Sequence, residues 1–244
     1  MFETSIDYSI PYMAELYQEP NIESKNWILR TFEVTNDDWY HIVHHGILPG
    51  KYVSLNSKNN TFFENTCMMS DTPMERFTNQ DFINMAEDRV LIAGLGIGMV
   101  PVTLAQKDEI KHITVIEIDS EIIELVEPLI RKYVPNHEKI EIIQADAYEF
   151  PKTYTGKKYD YLWLDIWPEF PNTEADVEMF ESLFDIYGPI MTAPRMNGWG
   201  YEYATQVGFG MNEINPIETY AFKEYCEELL LEKQIKKILL EKNE

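Results

Sequence analysis

Apolar runs that stop at glycine or at a carboxylate recur through the middle of the chain, and helical periodicities lie between them. Val90 to Ala93 is continuously apolar and ends at Gly94, Gly96 and Gly98, the pattern of a buried strand entering a tight turn. Met99 to Gln106 can continue from that turn as a helix. His112 to Ile118 is a β-branched run, and further strands are predicted over Lys139 to Gln144 and Tyr159 to Ile166. Between the second and third strands, Ile122, Ile123, Val126, Leu129 and Ile130 mark one face of a helix from Ser120 to Tyr133, which Pro135 ends. A second such helix spans Thr173 to Tyr187. Strands alternating with helices predict an α/β fold with a parallel sheet.

The flanks read differently. Pro11 and Pro20 interrupt any long helix at the start, so an irregular arm is expected there. Short strands are predicted over Trp27 to Val34, Asp38 to His44, Lys51 to Ser54 and Thr61 to Ser70, making a small β unit. After Tyr187, Gly188 to Met211 lacks a β-branched run. The parallel sheet is therefore expected to be shortened in its C-terminal half, with an order such as 3-2-1-4. A long helix from about Pro216 to Lys242 closes the chain, with Leu231, Ile235, Ile238 and Leu239 as an apolar stripe that could pair two copies as a homodimer. The resulting division is an arm and β unit (1–80), a Rossmann-like cofactor-binding domain (81–211) and a C-terminal helix (212–244).

Three of the four predicted strands deliver a carboxylate at the C-terminal end: Glu117, Asp146 and Asp165. Open α/β sheets bind ligands at that edge. Glu117 lies roughly twenty residues beyond the glycine turn, where an acid meets the hydroxyls of a ribose. A carboxylate accepts two hydrogen bonds and so suits a vicinal diol. A nicotinamide dehydrogenase fits less well, since it wants glycine where Met99 stands and gives no reason for the Asp146–Ala147 pair. Trp163 and Trp167 flank Asp165. Trp167 can offer its π face to a cation, whereas Trp163 reads as core packing.

The ordered set VLIAGLGIGM, VIEIDSEIIELV, QADAYEF and YDYLWLDIWP resembles the class I S-adenosylmethionine-dependent methyltransferase fold, and within it the spermidine synthase branch. MSDTPME (Met69 to Glu75) and DIWP (Asp165 to Pro168) are similar to motifs of a group of phage and bacterial methyltransferase-like proteins. The resemblance implies S-adenosyl-L-methionine as cofactor. Gly94, Gly96 and Gly98 would line its methionine and ribose part, Glu117 its ribose hydroxyls, and Asp146 with Ala147 its adenine edge. Asp165, helped by Trp167, would stand where the transferred group meets its acceptor. Spermidine synthases carry in the glycine loop an aspartate that holds the cofactor's amino group. Ile97 takes that place here, and Ile166, Trp167 and Pro168 follow Asp165 where theirs run on to a second aspartate. Methyl transfer to a small or cationic substrate is thus the leading expectation. Aminopropyl transfer, or a non-catalytic interaction and assembly protein on the same fold, are the alternatives.

Charge narrows the acceptor. The chain has 42 acids against 20 bases, a formal charge of −22. Such a surface repels phosphate backbones and anionic membranes, which disfavours nucleic acid and suits an amine. Two cysteines and no signal-peptide layout point to a cytoplasmic protein. No apolar run approaches the ~20 residues of a membrane span. His41, His44 and His45 invite a metal reading, but a strand would split them between two faces, so a polar strand end is expected. Asp71 or Thr72 before Pro73 predicts a helix start with Asp71 as the cap. The other reading puts Asp71 and Glu75 at an acceptor pocket.

Overall fold

The computed structural model describes residues 10–58, 66–167, 171, 173–208, 217 and 219–241. Two sheets organise it: a four-stranded sheet of order β1-β2-β3-β4 and a five-stranded sheet of order β7-β6-β5-β8-β9. The first is antiparallel and comprises β1 (Asn21–Glu23), β2 (Trp27–Val34), β3 (Gly50–Ser57) and β4 (Thr66–Ser70). Leu29 pairs with Leu55 and Thr31 with Val53 across β2 and β3. Residues 61–65 of the predicted fourth strand lie outside the described residues. In its described residues the arm before β1 forms a short helix, α1 (Met13–Leu16), and buries Met13, Ala14 and Tyr17 in the main core.

The histidine segment is a helix, α2 (Trp39–His45), where a strand was expected. Local capping decides this. The Asp38 carboxylate accepts the His41 N–H and lies 2.8 Å from its Nδ1, and Gly46 ends the helix in the left-handed conformation at φ 59°. Among the described residues no group of three or more His, Cys, Asp or Glu side chains could hold a metal ion.

Helix α3 (Pro73–Met85) leads into the parallel sheet. There β5 (Asp88–Ala93), α4 (Met99–Ala105), β6 (Ile110–Glu117), α5 (Ser120–Tyr133), β7 (Ile140–Gln144), α6 (Phe150–Thr153) and β8 (Tyr161–Leu164) follow in turn. Side chains alternate across the sheet, as the strand period requires. Val90 and Ile92 pack with Val100, Val102 and Val126 on one face, while Leu91 and Ala93 pack with Phe180, Leu183 and Tyr187 on the other. Burial on both faces explains why β5 reads as a continuous apolar run. The first core continues into the small sheet through Leu29, Val53 and Leu55.

The sheet does not stop at its fourth strand. After α7 (Glu174–Tyr187), β9 (Met196–Gly198) pairs in parallel with β8, Leu162 opposite Met196 and Leu164 opposite Gly198. Three residues reading Met-Asn-Gly carry no β-branched signal, and neighbour pairing alone makes them a strand. Then come α8 (Tyr201–Gly208) and α9 (Tyr220–Glu241). Phe222, Tyr225 and Leu229 of α9 pack on Leu48 and Phe77, so the start of this helix covers its own chain. Leu231 of the predicted stripe is exposed, and the side chains of Ile235, Ile238 and Leu239 lie outside those described. Among the described residues no helix is long and apolar enough to cross a membrane.

Candidate active site

All five parallel strands point their C-terminal ends to one edge, and a cavity of about 440 Å³ opens there. It gathers Gly94, Gly96, Glu117, Asp146, Ala147, Asp165 and Trp167. Gly98 lies outside this lining. It starts α4, where a side chain would press on Tyr17, Val126 and Ile130. Glycine is required at position 94 by its φ of +100° and because a Cβ would overlap the carbonyl oxygen of Asp165. That absence lets the ends of β5 and β8 close on each other, and the Asp165 N–H donates to the Ala93 carbonyl at 2.8 Å.

Glu117 is 8% exposed and fixed by two backbone donors: Leu95 N–H reaches one oxygen and Asp119 N–H the other, both at 2.9 Å. Each oxygen keeps a further lone pair toward the cavity. Asp119 caps α5 through the Glu121 N–H and accepts the Trp27 indole N–H at 2.7 Å. The small sheet is thereby tied to the cavity rim, and Asn26 reinforces the tie with two donors to Glu121. Asp146 accepts the Tyr148 N–H at 2.7 Å, and the Tyr187 hydroxyl donates to the Ala147 carbonyl.

The other end is differently built. Asp165 has no hydrogen-bond donor to its carboxylate among the described residues, and burial followed by the Glu117 charge pushes it up to about 7. Glu75, in the first turn of α3, is 7% exposed and also lines the cavity. Burial drives its carboxyl well above the usual range. The Asp165 charge adds to that, and the Ser70 backbone N–H works against it. Trp167 donates to the Trp199 carbonyl at 3.2 Å and stands edge-on to Phe180. Trp199 donates to Thr78 at 2.8 Å. Trp163 stacks on Phe82 in the core, 4.6 Å between centroids. Pro168 lies outside the described residues.

The MSDTPME corner corrects one expectation and separates the two acids it contains. The cap position of α3 is Thr72, without a side-chain cap bond. Asp71 instead accepts Val53 N–H at 2.6 Å and, from 58 residues earlier in the chain, Met13 N–H at 2.8 Å, joining the arm to β3. Burial still raises it to about 6. Asp71 is thus a cross-link outside the cavity, while Glu75 is on its wall.

Two features of the lining decide what can enter. Among the described residues five carboxylates face it (Glu75, Glu117, Asp119, Asp146 and Asp165), and no Lys, Arg or His does. The glycine loop's own donors are mostly spent. Gly94 N–H bonds the Ile116 carbonyl, Leu95 N–H bonds Glu117, Ile97 N–H meets the Met69 sulfur and Gly98 N–H bonds the Leu95 carbonyl. Cations and hydroxyl donors are welcome there, and a ligand carboxylate is not. Sequence reasoning did not find Trp27, Leu55, Met68 and Trp199, which reach the cavity from distant stretches.

The spermine/spermidine synthase domain pattern matches residues 66–189. Polyamine aminopropyltransferase 2 of Caldanaerobacter subterraneus subsp. tengcongensis is 22% identical over 207 residues, covering 80% of this chain and 67% of that protein. Spermidine synthase from Thermotoga maritima overlays with a TM-score of 0.42 at 15% identity, over 70% of this chain and 52% of that one. The chain thus spans about half the length of that solved structure. The N-methyltransferase NodS from Bradyrhizobium japonicum WM9 overlays with a TM-score of 0.40 at 16% identity, over 65% of this chain and 83% of that one.

Proposed function

Since the chain belongs to the spermine/spermidine synthase domain family, and with it to the wider S-adenosylmethionine-using superfamily, we propose that it transfers an aminopropyl group from a decarboxylated adenosyl sulfonium to an amine. The observation that carries this reading is that every charged residue in the described lining is an acid. S-adenosylmethionine itself ends in a carboxylate, which would face Glu75 and Asp165 with no cation to meet it and few loop N–H groups to spare. The decarboxylated donor keeps only the ammonium and the sulfonium, both positive. Aminopropyl transfer therefore suits this cavity better than the methyl transfer that led the expectations from sequence.

The residues fit the donor. Glu117 is preset by its two backbone donors to take the ribose hydroxyls on its remaining lone pairs. Asp146 and Ala147 stand at the mouth for the adenine edge. When bound, the sulfonium supplies a carbon already activated toward displacement. The amine nitrogen forms the new N–C bond there, the C–S bond breaks, and its electron pair stays on sulfur as the neutral thioether 5′-methylthioadenosine. The ammonium product sheds one proton, and Asp165 takes it. A carboxyl near 7 is matched to proton acceptance at neutral pH. Trp167 and Trp199 wall this end, excluding water and holding the acceptor in line.

The test is a product analysis. Incubation with decarboxylated S-adenosylmethionine and a diamine should release 5′-methylthioadenosine. Release of S-adenosylhomocysteine from S-adenosylmethionine instead would make the chain a methyltransferase, and no release from either donor would leave the non-catalytic alternative.

A further inference from the structure

Glu75 is the buried acid of the described cavity wall that the reaction above does not use. We infer that Glu75 determines donor specificity by binding the primary ammonium at the end of the transferred three-carbon chain. The inference rests on the aminopropyl reading and deepens it.

The glycine loop cannot perform this recognition. Ile97 is 0% exposed in the main core, so that position presents no side chain to the cavity, and its N–H already meets the Met69 sulfur. The outer face of the loop is covered instead by the corner between β4 and α3. Met69 packs its sulfur against Gly96, and Glu75 follows one turn into α3. The neighbouring cation is occupied elsewhere. Arg76 donates to the Ile10 and Pro11 carbonyls and lies over the Tyr12 ring. Glu75 is left buried beside the Asp165 carboxylate, with the Ser70 backbone N–H as a donor. Without a counter-charge such a carboxyl holds its proton, and a cation beside it stabilises the ionised form. No described residue of the cavity supplies that cation, and an ammonium on the ligand would.

Two neutral-sulfur ligands isolate the ammonium: 5′-deoxy-5′-(3-aminopropylthio)adenosine and 5′-deoxy-5′-(propylthio)adenosine. Calorimetric titration of the full chain at neutral pH should show the amino compound binding about tenfold or more tighter, the scale of a charge-assisted hydrogen bond. E75Q should bring the ratio of the two affinities close to one and leave the propylthio compound within about twofold of wild type. Asp165→Asn should keep most of the ratio. A wild-type ratio near one overturns the inference whatever the variants do, which keeps the test decisive if E75Q does not fold. An E75Q protein that keeps the ratio, or loses both ligands equally, also overturns it. If wild type binds neither compound, the adenosyl reading itself fails. If it binds both alike, only the role of Glu75 does.

Discussion

The two ends of the cavity hold acids of the same kind in opposite circumstances. At the Glu117 end the carboxylates of Glu117, Asp119 and Asp146 all accept backbone donors, and an indole adds a further bond. At the Glu75–Asp165 end the acids are desolvated, close enough to repel, and sparsely bonded. The first end is preorganised for neutral hydroxyls. The second carries an electrostatic cost that a cation relieves. On the proposed function, adenosyl binding and transfer fall to different ends, and substitutions should separate them.

Four experiments sharpen this contrast, in descending size of effect. Asp165→Asn should slow aminopropyl transfer by about 10²–10⁴-fold, the usual contribution of a positioned proton acceptor, with 5′-methylthioadenosine affinity within about twofold of wild type. Steady-state turnover beside calorimetry checks this, and undiminished turnover would remove Asp165 from the reaction. Glu117→Ala should weaken adenosyl ligands by about 100-fold through loss of two hydrogen bonds to a charged group. It also orphans the Leu95 and Asp119 N–H groups, so its urea midpoint should fall.

Asp71→Asn tests the acid outside the cavity. Its amide would turn N–H groups toward a backbone donor, either Val53 or Met13, and cost about 1–3 kcal/mol in urea unfolding, with adenosyl affinity unchanged. A loss of affinity without a loss of stability would return Asp71 to the pocket. The smallest effect is on pH. Asp165 in the folded chain holds its proton up to about 7, against about 4 for an unfolded aspartate. The folded state then binds more protons between those values, so the ligand-free protein should lose stability as pH rises through that window. Asp71, raised to about 6, and Glu75 act in the same direction. A falling melting temperature from pH 5 to 8, flattened in Asp165→Asn, checks the sign.

Much of this arrangement was legible because each acid of the parallel sheet sits at a strand end. The α/β reading, the order of its first four strands and the edge where Glu117, Asp146 and Asp165 meet all follow from apolar runs and their punctuation. Where short segments depend on neighbours, the pattern misleads. Trp39–His45 is rich in the aromatic and β-branched residues of a strand, yet Asp38 and Gly46 cap it as a helix. Met196–Gly198 has no strand signal, yet β8 pairs with it. The role of Asp71 was hidden because its partners, Met13 and Val53, are far away in sequence. Trp27 was hidden likewise, since nothing in an alternating β2 says that its first residue reaches Asp119. Gly98 shows that a glycine motif mixes positions facing a cavity with positions that only admit packing.

Two side chains of the cavity rim tie the small sheet to the parallel one: the Trp27 indole through Asp119, and the Met69 sulfur through the Ile97 N–H. Every acid in the lining comes from α3 or from the strand ends, whereas Trp27 and Leu55 descend from β2 and β3. Ceiling and floor are thus separable parts. On the proposed function, the ceiling can be reshaped to suit amines of different length while the acids below it are kept, with the Trp27 and Met69 contacts to re-establish.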